Sequence, residues 1–313
     1  MNSAVLHVAS AYTNPVRFRT RRELFCDFRR HMSESSNVRL HVGEAAYGDR
    51  DYEVTSATNS LDLQLRTRSE LWHKENLLNL TIQRFPDDWE YGAIIDGDFT
   101  MTRRDWALEA IHQLQHYDFV QLFSTYADLG PKHRPFRVTR GFAFQYCNGL
   151  ELPKTYSKSP GATGGAWAFR RSAFDTVGGL LDTCILGSGD WNMAFGLVGK
   201  VQQTAEAKRY GTALTRSILR WQDRAAPLQA NIGYIDNHAI HHFHGSKVNR
   251  AYGTRWQILR DENFDPDVDI KRDWQGLWQL AGNKPSLRDK IRCYFRARSE
   301  DDTTLYGGET YLA

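Results

Sequence analysis

Two aspartates separated by a glycine, Asp96-Gly97-Asp98, follow directly on the short apolar run Tyr91 to Ile95. A glycine between two carboxylates at a strand end lets a backbone or a ligand come close. A hard divalent cation takes one or two carboxylates and fills its shell with substrate phosphates, so the pair suits Mn2+ or Mg2+ held against a nucleotide. Taken alone, the run is also an ordinary Asp-Gly turn. Farther on, Gly187-Ser188-Gly189-Asp190-Trp191 carries one carboxylate in a glycine-containing loop, where Asp190 taken alone reads as a capping or turn aspartate. His238, His241, His242 and His244 crowd one strand-like segment. On a strand reaching His244, side chains two apart share a face, which pairs His242 with His244 and turns His241 away. Two imidazoles on one face can bind a metal, against the reading of polar strand histidines bonded to backbone. Lys247 and Arg250, just beyond, suit a diphosphate or a solvated loop.

One further stretch has recognisable chemistry. Pro131 to Tyr146 contains Lys132, His133, Arg134, Arg137 and Arg140 with no acidic residue, interleaved with Phe136, Phe142, Phe144 and Tyr146. Basic groups contact phosphates and aromatic faces stack on bases, which is what a nucleic-acid groove needs. Sugars also stack on aromatics, and Phe142 and Phe144 also fit a core.

The elements that must position these groups alternate. Ala4 to Ser10 reads as a strand, Arg19 to Met32 as a helix, Val38 to Val42 as a strand, and Ser69 to Arg84 as a half-buried helix leading into the strand Tyr91 to Ile95. Thr102 and Asp105 precede a helix with Trp106, Ala110, Ile111 and Leu114, and Phe119 to Phe123 is the next strand. Gly161 to Arg170 enters a strand, Arg171 to Val177 suits a short helix ended by Gly178-Gly179, and His238 to His244 reads as a strand. Strands alternating with helices predict an α/β layered fold with a mostly parallel sheet and ligands at the carboxyl ends of strands. A domain over residues 1–250 is expected, then a helical C-terminal extension over 251–313 with a mobile polar tail from Ser299.

Composition bounds the class. The 313 residues are 41% hydrophobic and 25% charged, the profile of a globular chain. The charge balance of 40 − 37 = +3 is too small to point to nucleic acid by itself. No apolar run approaches the roughly 20 residues of a membrane helix. Cys26, Cys147, Cys184 and Cys293 are widely spaced, which suggests neither a zinc site nor a disulfide framework, and a cytoplasmic setting is expected.

In order along the chain, Lys74-Glu75-Asn76, the strand before Asp96-Gly97-Asp98, GATGGAWAFRRSAFDTVGGL from Gly161, and Gly187-Ser188-Gly189-Asp190-Trp191 resemble the nucleotide-sugar glycosyltransferases of the GT-A fold, family 2 above all. The resemblance spans roughly residues 4 to 250 and implies transfer from a UDP-sugar, with inversion and with Mn2+ or Mg2+. It implies that Asp98 and a late histidine, His244 or His242, hold the metal. Asp96 would meet the ribose or a metal-bound water, and Lys74, Asn76, Thr13, Asn14, Gly164, Gly165 and Lys247 would line the donor. Asp190 would be the base. The family's acidic pair for the uracil is here a lone Glu44, and its acceptor-side acidic motif is reduced to Asp190. Lys132, Arg134, Arg137, Arg140 and Trp191 would face the acceptor, for which a hydroxymethylated pyrimidine of DNA, as in phage DNA modification, combines both chemistries; a cell-surface glycan or a small molecule is the alternative. A catalytically silent nucleotide or glycan binder and a metal-dependent nucleotidyltransferase are the rival classes. The second is weakened because Thr13-Asn14-Pro15 has no glycine-rich phosphate signature.

Overall fold

The computed structural model describes residues 4–155 and 161–304. Its first strand, β1 (Leu6–Thr13), is buried without interruption from Leu6 to Ser10, as a strand covered on both faces requires. The helix α1 (Arg19–Glu34) buries Phe25, Phe28 and Met32 at helical spacing. β2 (Val38–Tyr47) and β3 (Asp62–Thr67) extend the sheet in parallel on one side of β1. The buried helix α2 (Lys74–Ile82) returns the chain to β4 (Tyr91–Ile95), parallel to β1 on its other side.

Beyond the Asp-Gly-Asp turn come β5 (Phe99–Met101), α3 (Trp106–Gln113) and β6 (Phe119–Gln121), then the hairpin β7 (Thr125–Leu129) and β8 (Pro135–Arg140), and the short helix α4 (Phe142–Cys147). β9 (Ala166–Arg170) inserts antiparallel between β4 and β6. Three helices, α5 (Arg171–Val177), α6 (Gly189–Leu197) and α7 (Thr212–Ala225), precede β10 (Ile232–Tyr234), which pairs with β6, and β11 (His238–His241). The chain continues through α8 (Gln257–Asp261), the hairpin β12 (Ile270–Arg272) and β13 (Trp278–Leu280), and α9 (Pro285–Ala297). The central sheet runs β10-β6-β9-β4-β1-β2-β3, with β9 alone antiparallel to its neighbours, and a second sheet runs β5-β11-β7-β8. This is the layered α/β fold with a mostly parallel sheet that the alternation predicted.

Two expectations about the C-terminal part meet a different arrangement. The region after residue 250 is not helical throughout, because the β12–β13 hairpin interrupts it, and Leu287, Ile291 and Phe295 of α9 belong to the same buried cluster as Phe169 and Trp221. The polar tail expected from Ser299 docks instead: the Glu300 side chain is 1% exposed, and Asp301 accepts hydrogen bonds from the N–H groups of Arg19 and Thr20. The chain beyond residue 304 lies outside the described residues. Among the described residues no helix is long and apolar enough to cross a membrane.

Candidate active site

Strand register builds one wall of the site. β11 lies between β5 and β7, and β8 flanks β7, so Phe99, His241, Asp128 and Arg137 stand abreast on four neighbouring strands. The N–H of His242 donates to the carbonyl of Asp98 at 2.9 Å, which clamps the Asp-Gly-Asp turn to the end of β11. Asp98 Oδ2 then lies 2.7 Å from His244 Nε2 and 3.6 Å from His241 Nε2. The ligand atoms of these three residues all fall within 4.8 Å of one another, and among the described residues they form the one such group able to hold a metal ion.

A divalent cation fits here for a reason internal to the site. Asp98 Oδ1 is buried without a hydrogen-bond partner, and leaving such an atom unsatisfied costs about 1–3 kcal/mol. A cation shared by the carboxylate and the imidazoles would satisfy it. Two nitrogens and one oxygen favour a transition-metal ion such as Mn2+ over Mg2+, which prefers oxygen throughout. Burial pushes the Asp98 pKa upward, but His241 and His244 overcome it and hold the carboxyl well below its usual range. Burial likewise opposes charge on His241, yet Asp98 and Asp128 raise its pKa; at His244, burial and then Arg250 prevail and lower it.

The expected pairing of His242 with His244 is corrected by the end of the strand. β11 stops at His241, so the two-residue alternation stops with it. His242 Nε2 meets Thr100 Oγ1 at 2.9 Å, and His241 stands beside Asp98 in its place.

The second wall comes from the glycine-rich turn. The N–H of Asp96 donates to the Gly165 carbonyl at 2.8 Å, and Lys74 Nζ donates to both Asp96 oxygens at 2.8 and 3.1 Å. A Cβ on Gly164 would lie 2.2 Å from Asp190 Oδ2, so only glycine lets the turn come this close to that carboxylate. Asp190 stands in the first turn of α6. Ile94, Phe169 and Met193 form an apolar backing behind Lys74, Glu75, Asp96 and Asp190. Burial there raises the Glu75 pKa to about 7, with Lys74 pulling the other way, and also raises that of Asp96.

Both walls face one cavity of about 500 Å3, which brings together Asp98, His241, His244, Lys74, Asp190 and Lys247. Gly164, Gly165, Trp191 and Arg137 line it as well. So does Arg250, which the sequence placed with Lys247 beside a diphosphate, and so do Arg21, Arg255 and Arg298 and the aromatic rings of Trp72, Tyr126 and Tyr252, which no motif singles out for the donor pocket. The spacing His241-x-x-His244 was the available signal for the second imidazole. The arginines come from sites scattered along the chain and share no local pattern.

Other expected residues are occupied elsewhere. Glu44 accepts the N–H groups of Glu53, Val54 and Thr55 at 2.5–3.1 Å and so organises the loop after β2, instead of facing the cavity. Asn14 closes its own turn, accepting from the Phe18 N–H and donating to the Phe18 carbonyl, and the Thr13 carbonyl accepts from Arg21. Asn76 is turned to the β12–β13 hairpin, donating to the Gly276 carbonyl and accepting from the Trp278 N–H. The basic stretch is divided. Arg137 pairs with Asp128 at 3.1 Å, Phe142 is core and Phe144 packs on Tyr234, while Lys132, Arg134 and Arg140 are exposed and do not line the cavity. Lys247 also reaches Asp128, and burial lowers its pKa to about 8.

No protein-family model matches the chain, and no curated protein matches it. Among solved structures it is similar to the catalytic domain of Drosophila β1,4-galactosyltransferase 7 in complex with xylobiose, at 13% identity and a TM-score of 0.39 over 92% of this chain and 99% of that one. It is also similar to residues 1–349 of S. aureus TarS in complex with UDP-GlcNAc, at 9% identity and 0.39 over 75% of this chain and 58% of that one. A third is a glucose-1-phosphate thymidylyltransferase of Bacillus anthracis, so described provisionally, at 10% identity and 0.41 over 88% and 99%. Likenesses this distant carry no residue assignments over to this chain.

Proposed function

We propose that the chain transfers a sugar from a nucleoside diphosphate sugar, UDP-linked and with Mn2+, to an acceptor hydroxyl, inverting configuration in a single displacement. The observation that carries this reading is that the Asp98–His241–His244 group and Asp190 face one cavity large enough for a nucleotide sugar. A bound divalent cation supplies charge that stabilises the departing diphosphate. Asp98, His241 and His244 would hold it. Lys247 and Arg250, beside them in the cavity wall, would meet the diphosphate. Asp96, fixed by Lys74, would accept a hydrogen bond from the ribose.

Asp190 would receive the acceptor's proton. As the acceptor oxygen forms its bond to the anomeric carbon, the bond from that carbon to the diphosphate oxygen breaks, and its electron pair leaves with the diphosphate. The proton passes to the Asp190 carboxylate, so no separate base is required. Thr13, Asn14, Glu44 and Asn76 have other partners and are given no direct part in donor binding.

The acceptor has two candidate classes, each with an observation behind it. A carbohydrate acceptor is favoured by Trp72, Trp191 and Tyr252 in the cavity wall, whose faces suit sugar rings. A hydroxymethylated pyrimidine in DNA is favoured by Lys132, Arg134 and Arg140, exposed on and beside β8, which would hold phosphates around a base extruded into the cavity. One experiment separates these and the rival classes: a panel of nucleotide sugars with Mn2+, read as released nucleoside diphosphate, with glycan acceptors, hydroxymethylated DNA or no acceptor. Release from a UDP-sugar that is stimulated by one acceptor class supports the proposal. No release from any donor favours a silent binder, and pyrophosphate formation from a sugar phosphate and a nucleoside triphosphate favours a nucleotidyltransferase.

A further inference from the structure

Each imidazole of the metal group has a buried carboxylate at its far nitrogen. His241 Nδ1 lies 2.7 Å from Asp128 Oδ1, and His244 Nδ1 lies 3.3 Å from Glu300 Oε2, while both Nε2 atoms face Asp98. Asp128 and Glu300 side chains are each 1% exposed. A carboxylate that accepts the Nδ1–H fixes the tautomer and leaves the Nε2 lone pair for a metal. Among the described residues, His242 has no such carboxylate, and its Nε2 meets the Thr100 hydroxyl.

Both carboxylates are themselves held. Asp128 is opposite His241 in the β11–β7 register and accepts from Arg137 and Lys247. Glu300 arrives from the far end of the chain. It accepts from Arg21 Nε and Nη2 at 2.8 and 2.7 Å and from Arg298 Nε at 2.5 Å. Next to it, Asp301 accepts the Arg19 and Thr20 N–H groups at 3.1 and 2.8 Å at the start of α1, a helix whose own N-cap residue, Phe18, offers no side-chain hydrogen bond. Gly245, at φ +82°, completes the fit: a Cβ there would come 2.9 Å from the Glu300 Cα, so the turn after His244 and the C-terminal segment pack backbone to backbone.

We propose that Asp128 and Glu300 are positioning residues that aim His241 and His244 at the cation, and that the docked segment from Arg298 to Asp301 is a structural part of the metal centre. This rests on the metal-dependent reading above. The segment read from composition as a loose tail is then what completes one of the two nitrogen ligands.

The test is a titration of Mn2+ into the full chain, followed by the electron paramagnetic resonance signal of the free ion. Glu300→Gln and Asp128→Asn should bind Mn2+ about 10- to 100-fold more weakly, the usual cost of losing an outer carboxylate partner. Glu300→Asp keeps the charge for Arg21 and Arg298 but draws back from His244, and a folded protein with weakened Mn2+ binding is expected. In turnover assays the same variants should need more Mn2+ for half-maximal rate, while the rate at saturating Mn2+ stays within about threefold of wild type; a merely structural role would not give that split. Wild-type Mn2+ affinity in folded Glu300→Asp and Asp128→Asn would overturn the proposal. If wild type and Asp98→Asn bind Mn2+ equally poorly, the metal-dependent reading fails and this one with it.

Discussion

The molecule contains two close histidine pairs with opposite chemistry. His7 and His41 lie on neighbouring strands of the central sheet, with Nδ1 of one 3.1 Å from Nε2 of the other and Phe85 packed against both rings. His241 and His244 have a similar ring separation, 5.6 Å against 5.3 Å for the first pair. The first pair spends its polarity internally: burial, then neighbouring positive charge, lowers both pKa values, that of His41 to about 4. The second pair is bracketed by carboxylates, with Asp98 in front and Asp128 and Glu300 behind. Proximity of imidazoles therefore does not make a metal site. The surrounding charge decides whether the rings form a neutral core contact or a ligand set.

The largest change should come from removing the carboxylate in front. Asp98→Asn should abolish measurable Mn2+ binding and lower turnover by about 1,000-fold, on the scale of several kcal/mol of cation stabilisation; chelator should do the same to wild type, and His41→Gln should do neither. Full activity in chelator would erase the distinction between the pairs.

The core pair should reveal itself in acid. The folded pKa of His41, about 4, lies below the unfolded value of 6.5, so the unfolded chain takes up the proton first as pH falls. Stability is then present above pH 6.5 and lost progressively down to about pH 4, with about 3 kcal/mol attributable to His41 at 1.36 kcal/mol per unit. Urea unfolding in chelator at several pH values would measure this, and His41→Gln should flatten the dependence in that window. An unchanged profile would mean that the pair is not buried neutral.

A smaller loss should separate the base from the metal. Asp190→Asn should lower transfer by about 100-fold and leave Mn2+ and donor binding unchanged. Retained transfer would point to another acceptor of the proton. The smallest effect sharpens the contrast most finely: His242→Ala should keep Mn2+ affinity within about twofold, whereas His241→Ala should lose at least about 10-fold, both read by titration.

Much of this was legible where punctuation is strong. The strand Tyr91–Ile95 and the helix Arg171–Val177 have the expected limits, because Asp-Gly-Asp stops one and Gly178-Gly179 the other. Asp98, Asp190, Lys74 and the Gly164-Gly165 turn come together as their order along the chain suggested. The helix α7 is absent from the expected elements although Leu214, Ile218, Trp221 and Ala225 carry its period in the sequence. The strand β8 was hidden because Pro135 to Arg140 reads as a charge cluster before it reads as an alternation. Glu44 was misplaced for a physical reason: a lone acid after a strand serves equally a ligand or the three N–H groups of a following loop, and only tertiary structure chooses. Glu300 was invisible because its partners, Arg21 and His244, are brought to it by the fold and not by spacing.

The most direct test of the metal centre is pulsed electron paramagnetic resonance on Mn2+-loaded protein with 15N-labelled histidine. Two directly bound imidazole nitrogens are expected in wild type and in His242→Ala, and one in each of His241→Ala and His244→Ala. Absence of bound nitrogen in wild type, or loss of one in His242→Ala with none lost in His241→Ala, would contradict the account.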